Sequence, residues 1–120
     1  MKGEVDSQDR ALIALKVRPS TDAEPRELAA WVDTAFTGEL VVPRATIERL
    51  GLSQSATVMA GLADGTEIVL ETYSCVIDWF DQQILVEVIG NDGRFPLLGI
   101  GLLRGRRLEI DYRARTLVIE

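Results

Sequence analysis

The segment Trp31-Val32-Asp33-Thr34-Ala35-Phe36-Thr37-Gly38 decides how the rest of the chain is read. An apolar run delivers one carboxylate into a turn made of small and hydroxylated residues. A carboxylate at the end of an apolar strand loses hydration unless donors surround it, and Thr34, Thr37 and the amides of a tight turn are the donors at hand. The segment therefore reads as a polar pocket built at a strand end.

Outward from this segment the chain alternates strands and turns. Residues 11–17 are mostly aliphatic and stop at Arg18-Pro19, and residues 26–32 return as a second strand that runs into Asp33. The two are expected to pair as a hairpin. Leu40-Val41-Val42 reads as a short buried strand, Pro43 as the opening turn of a helix over 45–50, and Gly51 as its left-handed stop. Asp64-Gly65 between extended runs 56–63 and 66–79 predicts a projecting hairpin. Residues 83–89 form another strand, 91–93 a turn, 95–98 a brief strand and 100–104 a short helix. Segments 107–112 and 116–119 predict a terminal hairpin around Arg113-Ala114-Arg115. Many short strands with one or two short helices imply an all-β, closed or partly closed barrel in a single domain spanning 1–120, with 1–10 as a flexible lead.

Composition narrows the chemistry. The net charge of −6 opposes binding to phosphate backbones, so nucleic acid is not the expected partner. No apolar run reaches the roughly 20 residues of a membrane-spanning helix, and the polar start is unlike a secretory signal, so no membrane association and a cytoplasmic location are expected. The 120 residues contain no His, which removes Ser-His-Asp and Cys-His catalysis and most catalytic zinc sites from consideration. Cys75 is the one cysteine, which leaves no internal disulfide, and it reads as a small buried hydrophobe. Trp31 and Trp79 read as core or interface anchors. No acidic cluster has metal-ligand spacing, and neither a metal nor a cofactor is expected. Hydrolytic chemistry here would fall to carboxylates, a lysine or a hard metal ion.

The Asp33 segment resembles the active-site loop of retropepsin-like aspartic proteases: two apolar residues, Asp, a hydroxyl residue and a small residue. Phe36-Thr37-Gly38 after the triplet and Asp64-Gly65 in the later hairpin are similar to the bacterial single-domain members. The family's second hallmark, two apolar residues and a glycine before a short helix, is matched by Leu97-Leu98-Gly99 and residues 100–104. The resemblance covers 11–120 and implies a retropepsin-like closed β-barrel.

It implies an aspartic endopeptidase in which Asp33 from each of two chains shares a proton and activates water, since close carboxylates cannot both ionise. Asp33 is the one acid in such a loop, so a homodimer must supply the second. Thr34, Ala35, Thr37 and Gly38 then support the loop and lock the dimer. Ala60, Gly61, Leu62, Ala63, Asp64 and Gly65 form a flap over a peptide or protein substrate. Ala35 departs from the family, which has glycine there. That departure carries an alternative: a catalytically inactive module of the same fold that binds peptides or dimerises.

Overall fold

The computed structural model describes residues 1–120, the side chains of Val58 and Ala60 excepted. Ten strands follow one another in the order β1 (Lys2–Val5), β2 (Ala11–Arg18), β3 (Arg26–Val32), β4 (Leu40–Pro43), β5 (Ser53–Gly61), β6 (Glu67–Trp79), β7 (Gln82–Asn91), β8 (Leu97–Leu98), β9 (Leu108–Asp111) and β10 (Thr116–Ile119). Two short helices interrupt them, α1 (Arg44–Leu50) after β4 and α2 (Ile100–Leu103) after β8. No helix among the described residues is long and apolar enough to cross a membrane.

Strand order explains why the sheet closes. Neighbours run β5-β6-β7-β4-β8-β3-β2-β1-β10-β9, and β6 pairs again with β2 through Val17↔Ile77 and Arg18↔Val76. That second pairing joins β2, β3, β8, β4, β7 and β6 into a ring. Closure removes the exposed edges that an open sheet of these strands would present. Arg18 reinforces the seam, donating to Asp78 at 3.1 Å and to the Ala23 carbonyl at 3.2 Å.

Period-two alternation fills the ring. Along β2 the residues Ala11, Ile13, Leu15 and Val17 turn inward, and along β3 Leu28, Ala30 and Val32 do the same. They meet Leu40, Ile77, Val86, Val88 and Leu98 in one apolar cluster, each large side chain contributing about 1.5–3 kcal/mol of burial. β4 is buried along its whole length because β7 pairs with it on one side and β8 on the other.

Several sequence expectations shift by a residue or two for identifiable reasons. Pro43 ends β4 and caps α1 from outside, rather than sitting in its first turn. Gly51, at φ 69°, sends its amide to Glu48 while Leu52 reaches Ile47, so two carbonyls of the last turn are satisfied. The Asp64-Gly65 turn is not a two-residue loop. Gly65 donates to Leu62 at 3.0 Å and takes φ 87°, and Leu62 donates to Thr66 at 2.7 Å, a three-residue loop with the glycine left-handed. The brief strand expected over 95–98 shrinks to Leu97–Leu98, because Phe95 packs edge-on against Trp31 instead.

The largest difference lies at the start. Where a flexible lead was expected, Lys2–Val5 is a strand paired with β10 on one side and β2 on the other. Its pattern of charge hides a single inward residue, Val5, too little apolar periodicity to be read from sequence.

Candidate active site

Asp33 stands one residue beyond β3, where the chain leaves the barrel wall. Val32 turns into the core, and Trp31 and Asp33, two residues apart, share the outer face. The two sequence hallmarks meet here. β8 threads between β3 and β4: Trp31↔Leu97 and Val32↔Leu98 are parallel partners, and Leu40↔Leu98 and Val41↔Leu97 are antiparallel ones. The Asp33 amide continues the ladder to the Leu98 carbonyl at 2.9 Å.

The loop after Asp33 is tied to the segment after Leu98. Phe36 donates to the Asp33 carbonyl at 3.2 Å, Ile100 to the Phe36 carbonyl at 2.9 Å and Gly101 to the Gly38 carbonyl at 2.9 Å. Gly99 donates to Glu39 at 2.9 Å. Contact is close enough to require glycine: a Cβ on Gly99 would lie 2.3 Å from the Gly38 carbonyl oxygen and 2.4 Å from the Phe36 ring. A Cβ on Gly38 would strike that ring at 2.5 Å.

The Asp33 carboxylate is half-buried, and its Oδ1 accepts the Ala35 amide at 2.9 Å. Among the described residues neither Thr34 nor Thr37 donates to it, contrary to the sequence expectation. Thr34 is exposed, so its hydroxyl is free to meet a group from outside the chain. Ala35 is also exposed, and it is not among the residues with positive φ, which are Asp9, Phe80 and Arg115. The loop backbone thus accepts alanine without strain.

Trp31, Val32, Asp33, Thr34 and Leu97 line an open cleft of about 330 Å³. Trp31 is 39% exposed and walls the cleft, so of the core and interface places the sequence offered it, the core is not the one it takes. Its ring lies edge-on to Phe95, centroids 6.3 Å apart, and the Arg10 guanidinium covers Phe95 at 4.2 Å. Arg10 is in turn held by Asp6, through Nε at 2.8 Å and Nη2 at 2.7 Å. Arg10, Phe95 and the cleft role of Trp31 were missed in the sequence. The spacing of Trp31 to Asp33 was the available signal, since residues two apart in a strand share a face.

The hairpin of β5 and β6 projects from the barrel, and its expected flap residues Gly61, Leu62, Ala63, Asp64 and Gly65 are all exposed at its tip. The side chain of Ala60 lies outside the described residues. Asp64 holds the tip, its Oδ1 accepting from the Thr66 amide at 3.0 Å and hydroxyl at 2.6 Å, bonds that keep its carboxyl below the usual aspartate range. Met59 and Val69 leave 64% and 60% of their surface in solvent, an apolar face with nothing against it among the described residues.

No family model matches the chain, and no curated protein matches it by sequence. Solved structures do. A retropepsin-like aspartic protease from Rickettsia conorii aligns over 99% of this chain and 88% of its own, at 14% identity and TM-score 0.63. EIAV protease, complexed with the inhibitor HBY-793, aligns over 82% of this chain and 89% of its own, at 17% identity and TM-score 0.58. The retroviral protease-like domain of Ddi1 from Leishmania major covers 92% of this chain and 88% of its own, at 15% identity and TM-score 0.52.

Proposed function

We propose that this chain, whose fold is that of the retropepsin-like aspartic proteases, is an aspartic endopeptidase that acts as a homodimer, with Asp33 of each copy forming one active site. The observation that carries the reading is the union of the two hallmarks around Asp33. A half-buried carboxylate sits at an open cleft, on a loop pinned to Leu98, Ile100 and Gly101 by backbone bonds and to Gly99 by close contact. Such over-determined geometry suits a group that must be held for chemistry.

One carboxylate cannot both take a proton from water and give one to a peptide carbonyl. Two close copies separate their ionisations, so one is charged and accepts while the other is protonated and donates. The attack of water on the carbonyl then yields a tetrahedral intermediate, and return of the proton to the leaving nitrogen breaks the C–N bond. Thr34, exposed beside Asp33, would bond across to the other loop. The flap hairpin with its apolar face would close on an extended peptide, whose backbone it meets as an added strand.

Ala35 favours a second reading. Its exposed methyl stands two residues from Asp33 where the family has glycine, and a chain of this fold that binds peptides without cleaving them would keep everything else described. Incubation of the purified chain with a peptide library between mildly acidic and neutral pH separates the two. Cleavage abolished by Asp33→Asn supports the protease. Peptide binding without turnover at any pH, equal in both proteins, rejects it in favour of the second reading.

A further inference from the structure

From Leu50 to Gly93 the chain carries no Lys and no Arg, so every side-chain charge between Arg49 and Arg94 is negative. The flap hairpin stands inside this stretch. Asp64, Glu67 and Glu71 lie in its projecting part and differ in what holds them. Glu71 takes the Arg44 guanidinium at 2.7 Å and the Tyr73 hydroxyl at 2.8 Å, and Asp64 is turned onto Thr66. Glu67 is exposed, and its carboxylate has no hydrogen-bond or ion-pair partner among the described residues.

The strand register sets what lies beside Glu67. Gly61 is its direct partner on β5, and Met59 pairs with Val69 two residues further on. All four positions share one face, since side chains alternate along a strand. Gly61 places no side chain in front of Glu67, and a Cβ there would meet nothing within 4 Å. Glu67 is therefore open toward the free edge of β5, where the strand order ends. That edge offers backbone groups at the same residues. Leu62 donates to Thr66 next to the turn, and bonded and unbonded pairs alternate away from it, so the N–H and C=O of Gly61 and Met59 point outward.

We propose that Glu67 selects substrates with a Lys or Arg in the segment that pairs with this edge, and with an apolar side chain two residues from it. A residue paired with Gly61 turns its side chain onto the Glu67 face, two strand spacings or about 10 Å away with no side chain between. Lys and Arg are long enough to meet the carboxylate across that gap, and their methylenes then lie over the glycine. Two residues along, on the same face, a side chain lies beside Met59 and Val69, both exposed. An acid in the place of the Lys or Arg would meet only negative charge. This substrate class rests on the reading of the flap as the strand that meets the peptide, and it adds a residue that the chemistry at Asp33 does not use.

A random peptide library digested by the parent and by Glu67→Lys tests the assignment through its products. Glu67 is exposed, so the variant disturbs no packing. In the parent, cleaved peptides are expected to be enriched about two- to five-fold in Lys and Arg at one distance from the cut, the size of an exposed ion pair, with the enrichment falling at high salt. Glu67→Lys should turn it into a preference for Asp and Glu at that distance. Enrichment that survives Glu67→Lys unchanged, or none in the parent, overturns the proposal and leaves the protease reading standing. Where nothing is cleaved, the same library is captured on immobilised Asp33→Asn protein, with and without Glu67→Lys, and the bound peptides are sequenced. A basic preference that follows Glu67 there keeps the proposal and removes the protease reading. Bound peptides without that preference, or no binding, overturn both.

Discussion

The Asp33 amide donates to the Leu98 carbonyl at 2.9 Å, across 65 positions of sequence. Through this bond the strand that carries the acid and the strand that carries the second hallmark become one structure. Neither motif has a fixed position without the other, because β8 is two residues long and pairs with β3 on one side and β4 on the other.

That dependence makes Gly99 the most sensitive position near the site. A methyl there meets the Gly38 carbonyl oxygen at 2.3 Å and the Phe36 carbonyl oxygen at 2.7 Å, both backbone atoms that cannot rotate aside. Gly99→Ala is expected to cost about 3 kcal/mol or more, at the upper end of what overpacking does. Urea unfolding of the variant and the parent measures it. Equal midpoints would mean that the Asp33 loop moves freely relative to Leu98.

How much of this was readable in the sequence follows from the range of the forces involved. The Asp33 loop, the Leu97-Leu98-Gly99 segment and the Asp64-Gly65 turn are local signals, set by residue types within a few positions. The alternation in β2 and β3 is equally local, and their pairing was expected. β1 was not read as a strand, because its place is created by β2 together with β10 from the far end of the chain, with Val5 alone turned inward. Arg10 and Phe95 escaped notice for the same reason. A cation over a ring 85 positions away leaves no mark on either local pattern.

Asp6 links acid stability to the cleft wall. Bonds from the Arg10 side chain, then from its amide, hold the Asp6 carboxyl below the usual aspartate range. A carboxylate whose folded pKa is depressed contributes stability that is complete above its unfolded value, roughly pH 4, and is lost as pH falls through the folded one. Asp6→Asn is therefore expected to be less stable than the parent at pH 6, with the difference closing as pH falls below about 4. Thermal unfolding across that range checks the sign. A gap that widens in acid would show that Arg10 is held by something other than the Asp6 charge.

Gly65 and Gly99 differ in kind. At Gly65 a Cβ has nothing within 4 Å, and the cost of alanine comes only from φ 87°. Gly65→Ala should lose about 1 kcal/mol, and Gly65→Asn less, because asparagine tolerates the left-handed region. Denaturant midpoints of the two variants should keep that order. The reverse order would mean that space, and not backbone conformation, limits the flap tip.

Cys75 sits in β6 opposite Val86 with no exposed surface, and burial, followed by the nearby charge of Glu39, pushes its thiol up to about 12. The native thiol is expected to stay silent toward Ellman's reagent at pH 8 and to react fully once the chain is unfolded in guanidinium. The same shift has an alkaline consequence. Above about pH 8.5 the unfolded thiol ionises while the folded one keeps its proton, so the unfolded state binds fewer protons and stability falls as pH rises. The slope from this one group is about 1.4 kcal/mol per pH unit between the unfolded value and about 12. Cys75→Ala gives up some packing at neutral pH, but its stability should decline less steeply between pH 9 and 11 than the parent's, roughly by that slope. Parallel declines for the two proteins would mean that the folded thiol ionises as freely as the unfolded one, and that water reaches the β6–β7 face of the barrel.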